Sequence, residues 1–309
     1  MSEQNTGQYS QITIIGIGLI GSSLARAIKR AKLADKLVVY DSDPQAFEKA
    51  LELNLADVFE TDISYAVETA DLVILAVPVG AIGIVGSQIG TYLKNGATVT
   101  DVGSVKASVL EALQVSVPSG VHLIPGHPVA GTEKSGPEAG FAGLFDGRWC
   151  ILTPPEGADR TAVQRLTEFW TAIGSTVEIM DAEHHDLVLA ITSHVPHLIA
   201  YNIVGTASDL ETVTRSEVIK YSAGGFRDFT RIAASDPTMW RDVFLNNKDA
   251  VLEMLGRFSE DLTALQRAIR WGDGDALYDL FDRTRTIRRR IIDAGQETDA
   301  ADFGRTHED

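Results

Sequence analysis

The chain has 309 residues, 44% of them hydrophobic and 23% charged, the composition of a soluble globular protein larger than one ordinary domain. Lys+Arg 27 against Asp+Glu 43 leaves a net charge of −16, which argues against nucleic acid or an anionic membrane surface as partner and means that an anionic ligand needs locally placed cations. No apolar run approaches the ~20 residues of a membrane span, Met1 to Ser10 lacks the basic-then-apolar pattern of a signal peptide, and the single Cys150 allows no internal disulfide, so a cytoplasmic location is expected.

Short apolar runs alternate with amphipathic stretches from Gln11 to about Asp181. The predicted strands are Ile12 to Gly18, Leu37 to Asp41, Leu72 to Pro78, Ala97 to Gly103, His122 to Gly126, Arg148 to Pro154 and Thr176 to Met180. Near-continuous Val/Ile/Leu runs separated by helices predict a largely parallel sheet buried on both faces, the α/β doubly wound pattern. After Asp181 the strands stop, and Ala182 to about Ala294 reads as successive helices, clearest from Val243 to Ile269. Such a half commonly covers a cofactor cleft and supplies a dimer interface. The expected organisation is residues 1–181 as the nucleotide-binding domain, 182–294 as a helical substrate and dimerisation domain, and 295–309 as a polar, disordered tail.

The first strand runs into Gly16-Ile17-Gly18-Leu19-Ile20-Gly21 and then the helical SSLARAIKR. Gly16 permits the tight turn, Gly18 lets backbone N–H groups approach a pyrophosphate, and Gly21 lets the helix pack close to the strand. Asp41 ends the second strand, 20 residues after Gly21. This is a Rossmann-type dinucleotide site, with Leu19 and Ile20 in its cofactor-binding turn. A carboxylate at Asp41 accepts hydrogen bonds from ribose hydroxyls and repels a 2′-phosphate, and no Arg or Lys lies between Val38 and Phe47, so NAD is expected over NADP. Asp41 or Asp43 can instead serve as a helix N-cap; Asp43 suits that role better, with Pro44 at the first helical position.

Four further segments are informative: Asp101 to Lys106 (DVGSVK), Gly126 to Gly136 (GHPVAGTEKSG), Ser193 to His197 (SHVPH) and Gly224 to Trp240 (GGFRDFTRIAASDPTMW). In this order they resemble the prephenate/arogenate dehydrogenases over nearly the whole chain. The resemblance is to the catalytic core: nothing after the helical region resembles a regulatory ACT domain, and nothing before Gln11 a fused chorismate mutase. It implies an enzyme that oxidises and decarboxylates a small cyclohexadienol dicarboxylate with NAD, for tyrosine biosynthesis; the helices after Asp181 carry more apolar positions than one small helical layer can bury, so a homodimer through them is expected. Prephenate is the preferred substrate and arogenate the alternative.

The resemblance also implies site roles. His127 becomes the acceptor of the substrate hydroxyl proton, since neutral imidazole dominates at neutral pH; unaided, a structural histidine is an equal reading. Ser104 becomes the hydroxyl that bonds the substrate and orients His127, although a Ser here also suits a helix N-cap. Arg231 becomes the anchor of the ring carboxylate; the bland alternative is an ion pair with Asp228 or Asp236. His197 is aimed at the substrate by a kink that Pro196 should impose, and Glu133 lies near the site or in a solvated loop pair with Lys134. Trp240 either walls the pocket or fills the helical core. His194 and His197 lack a third ligand, so no metal is expected. Lys106 is assigned to carbonyl capping or solvent, His184 and His185 to no role, and Arg283 to Arg290 to a solvated or interface helix.

Overall fold

The computed structural model describes residues 8–214 and 223–293, and the expected tail lies outside them. Six parallel strands form the main sheet: β1 (Tyr9–Ile15), β2 (Ala34–Tyr40), β3 (Val58–Phe59), β4 (Leu72–Leu75), β5 (Thr98–Asp101) and β6 (His122–Leu123), in the order β3-β2-β1-β4-β5-β6. Alternation along β1 and β4 builds two cores. Ile12, Ile14, Leu72 and Ile74 join the cluster on one face, while Ile15, Val73 and Leu75 join that on the other. Both faces are covered by helices α1 (Leu19–Ala31), α2 (Pro44–Glu52), α3 (Ile63–Val67), α4 (Val79–Ile89) and α5 (Ala107–Gln114) and their surroundings. This is the doubly wound fold that the apolar runs predict.

The expected strand from His122 to Gly126 divides in two. His122 and Leu123 pair with Thr98 and Val99 in the main sheet. Pro125 has no N–H to continue that ladder, and Gly126–Pro128 forms β7 in a separate three-stranded sheet with β8 (Trp149–Leu152) and β9 (Thr176–Ile179). Here β7 runs antiparallel to β8, with His127 opposite Ile151 and Pro128 opposite Cys150. His127 therefore sits inside a strand, where the sequence suggested a loop after one.

Beyond α6 (Arg160–Ala172) and β9 the described chain is helical. Helix α7 (Ala182–Leu189) leads through a π-helical turn at Ala190–His194 into α8 (Val195–Thr214). Pro196 lacks the N–H that would continue an α-ladder. The helix accommodates it with a wide turn: Val195 N–H donates to the carbonyl of Ala190, five residues back. The stretch Ala182–Asp209 is, by length and composition alone, apolar enough to cross a membrane, which corrects the reading that no such run exists; 28% of its most apolar window is buried. Helices α9 (Gly224–Thr230), α10 (Pro237–Asn246), α11 (Lys248–Trp271) and α12 (Gly274–Asp293) follow.

By internal contacts the chain divides into two compact units, Met1–Leu252 and Glu253–Asp309. In the second, Leu262, Ile269, Trp271, Tyr278, Phe281 and Ile287 are all exposed.

Glycine packing fixes the entry to α1. Gly16 has φ +94°, and a Cβ there would lie 2.5 Å from the carbonyl oxygen of Ala76. A Cβ on Gly21 would lie 2.0 Å from the carbonyl oxygen of Gly16, backbone that cannot step aside. Gly21→Ala is therefore expected to push α1 off the strand and lower stability by about 1–3 kcal/mol, measured by urea denaturation; an unchanged midpoint would show that the turn adapts freely.

Candidate active site

Helix α1 starts without a side-chain cap: its N-cap is Gly18, which offers no acceptor to the first N–H groups, and no acidic residue occupies the first turn. The backbone N–H groups at Leu19 and Ile20 thus begin a helix with its positive end open to an anion. A Cβ on Gly18 would meet no protein atom within 4 Å, so that glycine answers to no packing demand of the protein itself. Asp43 caps α2 by accepting from Gln45 N–H, as expected. Asp41, just past β2, accepts from Ile17 N–H at 2.7 Å and from Asp43 N–H at 2.8 Å. It clamps the glycine turn, and each carboxylate oxygen keeps a further lone pair for a hydroxyl. These residues fit a dinucleotide: a pyrophosphate at the head of α1 and a ribose diol at Asp41.

The second part lies at the carboxyl ends of the next strands. Asp101 ends β5, fully buried, and receives Lys106 Nζ at 2.5 Å and the backbone N–H of Gly103 at 2.8 Å and Gly126 at 3.2 Å. Lys106 Nζ also donates to the carbonyl of Gly126 at 2.6 Å. Burial pushes the Asp101 carboxyl up and the Lys106 ammonium down, each charge opposing the shift of the other. With three N–H partners on the carboxylate, the ionised pair is the state that the geometry supports. The result pins the Ser104 loop to the start of β7, one residue before His127. Lys106 is fully buried, which rules out the solvent-facing alternative, while its bond to the Gly126 carbonyl is the carbonyl cap expected otherwise; its apolar neighbours Val105 and Ala107 are the only local signal of burial.

Ser104 is not a helix cap. Helix α5 begins at Ala107 with no cap from its N-cap side chain; the carboxylate of Asp186, on α7, accepts from Lys106 N–H at 2.8 Å and Ala107 N–H at 2.9 Å instead. The Ser104 hydroxyl is thereby left out of helix initiation.

His127 is 7% exposed. Its Nδ1 lies 2.8 Å from Nε2 of His185, whose Nδ1 lies 2.8 Å from Oδ1 of Asp186. Burial, then the charges of His185, Lys106 and His194, hold the His127 pKa well below the usual imidazole value. His185 carried no sequence role, yet it is wholly buried and forms the contact with the candidate base; a histidine inside an otherwise ordinary helix start offers no periodic signal.

His194 is buried beside Asn247, whose amide nitrogen lies 3.1 Å from its Nδ1, and burial pushes its pKa down to about 4. His197 donates from Nδ1 to the carbonyl of Ser193 at 2.8 Å and stacks on Trp240 at 3.7 Å between centroids. Burial and the Arg231 charge lower its pKa, against the pull of the Ser193 bond. Trp240 packs in a cluster with Val105 and Val243, the core placement, and its ring face supports His197. Arg231 opens the turn Arg231–Ala234 and bonds Glu133 at 3.0 Å, both side chains partly exposed. Its partner is thus the GTEKSG loop, neither Asp228 nor Asp236. Among the described residues no cluster of three or more metal ligands occurs.

All four motif segments are therefore joined physically: β5 to β7 by Asp101 and Lys106, β7 to α7 by the two histidines, the GTEKSG loop to the 224–240 segment by Glu133 and Arg231, and the SHVPH segment to the same region by the His197–Trp240 stack. The family model described as prephenate dehydrogenase, nucleotide-binding domain, matches residues 24–179, and that described as prephenate dehydrogenase, dimerization domain, matches 181–283. A cyclohexadienyl dehydrogenase of Zymomonas mobilis is 45% identical over 91% of this chain and 95% of its own length. A prephenate dehydrogenase of Bacillus subtilis is 32% identical over 90% and 75%. The crystal structure of prephenate dehydrogenase from A. aeolicus, in complex with hydroxyphenyl propionate and NAD+, superposes with a TM-score of 0.86 at 34% identity, covering 94% of this chain and all of that one. On both family models and on these relatives, the chain belongs to the prephenate dehydrogenase family.

Proposed function

We propose that the protein is an NAD-dependent prephenate dehydrogenase, yielding 4-hydroxyphenylpyruvate, CO2 and NADH. The observation that carries this reading is a buried histidine whose strand is tied to the Ser104 loop by Lys106, in a chain that also carries an uncapped glycine turn at Gly16–Gly21 and a partly exposed Arg231. Bound NAD+ supplies the hydride acceptor, held at Gly16, Gly18 and Gly21 with its ribose at Asp41. As the carbinol carbon gives up its hydride, His127 accepts the proton of the ring hydroxyl and leaves a ring carbonyl, with Ser104 hydrogen-bonded to the same oxygen. The bond to the ring carboxylate then breaks, its electron pair rearomatises the ring, and the resulting phenolate oxygen takes the proton back from His127. No proton is released overall: the substrate dianion and NAD+ become a monoanion, CO2 and NADH.

Arg231 anchors a carboxylate. Glu133 uses one of the five N–H donors of its guanidinium, leaving others for the substrate. His197 donates at Nδ1 to backbone, so its Nε2 is the atom that can meet a substrate donor, and Trp240 holds that ring in place. The second reading is that arogenate is used as well, supported by the relative named cyclohexadienyl dehydrogenase; the ratio of kcat/KM for prephenate and arogenate decides between them.

We further propose a domain division near Asp181 and a homodimer through the helices after it, with both copies in the cytoplasm. A dimerization-domain model covers residues 181–283, and the exposed apolar residues of the second unit, Trp271 and Phe281 among them, need a partner surface. Two-fold dimers are the commonest oligomers. Sedimentation equilibrium is expected to give twice the chain mass at micromolar concentration.

Production of NADH from prephenate is the direct assay. His127→Asn is expected to leave NAD binding intact and lower kcat by ~10²–10⁴-fold; a loss below tenfold would assign the proton to another group. Because His127 is held below the ordinary value, the neutral base persists on acidification, and kcat/KM should stay on its plateau as pH falls through 6.5. An acid limb centred at 6.5 or above contradicts that. Arg231→Ala should raise KM for prephenate by about 10–150-fold, the loss of a charge-assisted bond of about 1.5–3 kcal/mol, with Lys restoring only part; a change within twofold places the carboxylate elsewhere.

A further inference from the structure

We propose that His185 and Asp186 are positioning residues that fix the tautomer of His127, so that its lone pair lies on Nε2 and only there. The proposal rests on the reading of His127 as the base, and deepens it. The argument begins at Asp186. Both of its oxygens accept backbone N–H groups at the start of α5, from Lys106 and Ala107. A carboxylate only accepts, so the neighbouring Nδ1 of His185, at 2.8 Å, carries a proton.

Burial lowers the pKa of His185, against the opposing pull of Asp186, which makes its ring neutral and its Nε2 an acceptor. That nitrogen faces Nδ1 of His127 at 2.8 Å, so Nδ1 of His127 must be the donor. Neutral His127 then has its single lone pair on Nε2. The opposite tautomer would set two lone pairs against each other in a buried space, with one hydrogen bond lost and nothing to replace it. Edge-to-face packing of the two rings, 68° apart, keeps the nitrogens in line.

The same chain acts during turnover. When Nε2 of His127 takes the hydroxyl proton, its Nδ1–H remains bonded to His185, and the new positive charge lies two hydrogen bonds from a carboxylate. The other groups facing the pair are Lys106, His194, Asp101 and the Cys150 thiol. Lys106 and Asp101 bond each other, and Asn247 engages His194, so neither competes for Nδ1 of His127. The arrangement follows the logic of a nucleophile-orienting triad, with a second imidazole between base and carboxylate.

The test uses the full-length enzyme with 15N-labelled histidine at neutral pH, the His127 signals being assigned by their loss in His127→Asn. In the unaltered protein the Nδ1 resonance should be of the protonated type and Nε2 of the unprotonated type. His185→Phe should abolish that pattern and lower kcat at least tenfold, with KM for prephenate and NAD+ within threefold. His185→Gln, whose amide oxygen can face His127 and whose NH2 can face Asp186, should recover part of kcat. An Nε2-protonated His127 in the unaltered protein overturns the proposal, and so does a His185→Phe enzyme with kcat within threefold. If His185→Phe fails to fold, the resonances of the unaltered protein decide alone. Absence of turnover of prephenate would instead overturn the functional reading, since the tautomer is observed without turnover.

Discussion

The buried Asp101–Lys106 pair is the constraint on which the site depends. Two charges with zero side-chain exposure are a costly element in a folded chain, tolerable only when every remaining lone pair and proton is satisfied. Here the donors come from Gly103, Gly126 and the lysine itself, and the ammonium closes on the carbonyl of Gly126. An apolar pair of similar size would fill the same volume, but would not tie the end of β5 to the start of β7. Removing one partner leaves a stranded charge, a loss of about 3–5 kcal/mol. The pair fixes where one sheet stops and another begins, and so where His127 stands.

Around that anchor the polar groups are arranged in one direction. The carboxylate of Asp186 caps α5, whose N-cap is the same residue, Lys106, that holds Asp101. Its other neighbour is His185, and through it His127. Thus helix initiation, strand placement and imidazole orientation share atoms. The net charge of −16 sets the contrasting demand that a dianionic substrate find a cation, and Lys106 is already committed inside the protein. Arg231, half exposed and bonded at one nitrogen to Glu133, is the cation proposed to meet that demand. One cation is structural and the other free to exchange partners, a division that burial decides.

Much of this was legible in the sequence. Continuous Val/Ile/Leu runs fixed the sheet because burial on both faces leaves no alternation to misread, and the glycine spacing from Gly16 to Gly21 answers to steric contacts as close as 2.0 Å. The family segments brought His127, Ser104 and Arg231 to notice. What the sequence hid was long-range pairing. A lysine between Val105 and Ala107 carries no mark of a carboxylate five residues upstream and a carbonyl twenty downstream. His185 and Asp186 read as the polar start of a helix, and only the fold shows that this start points inward. The break at Pro125 was visible in principle, since a proline cannot extend a parallel ladder, but the change of sheet depended on where β8 lies.

Cys150 adds a practical corollary. Its thiol is buried on β8, opposite Pro128 and beside the strand that carries His127, and burial raises its pKa well above the usual thiol value. A thiol in that state is a poor nucleophile. Alkylating reagents should therefore reach it only when β7 and β8 separate, and the modification rate would report the opening of the small sheet as amide exchange reports local unfolding. As the single cysteine of the chain, it is a native probe placed one strand away from the base, and a bound dinucleotide or substrate that slows its labelling would show that ligands tighten the small sheet itself.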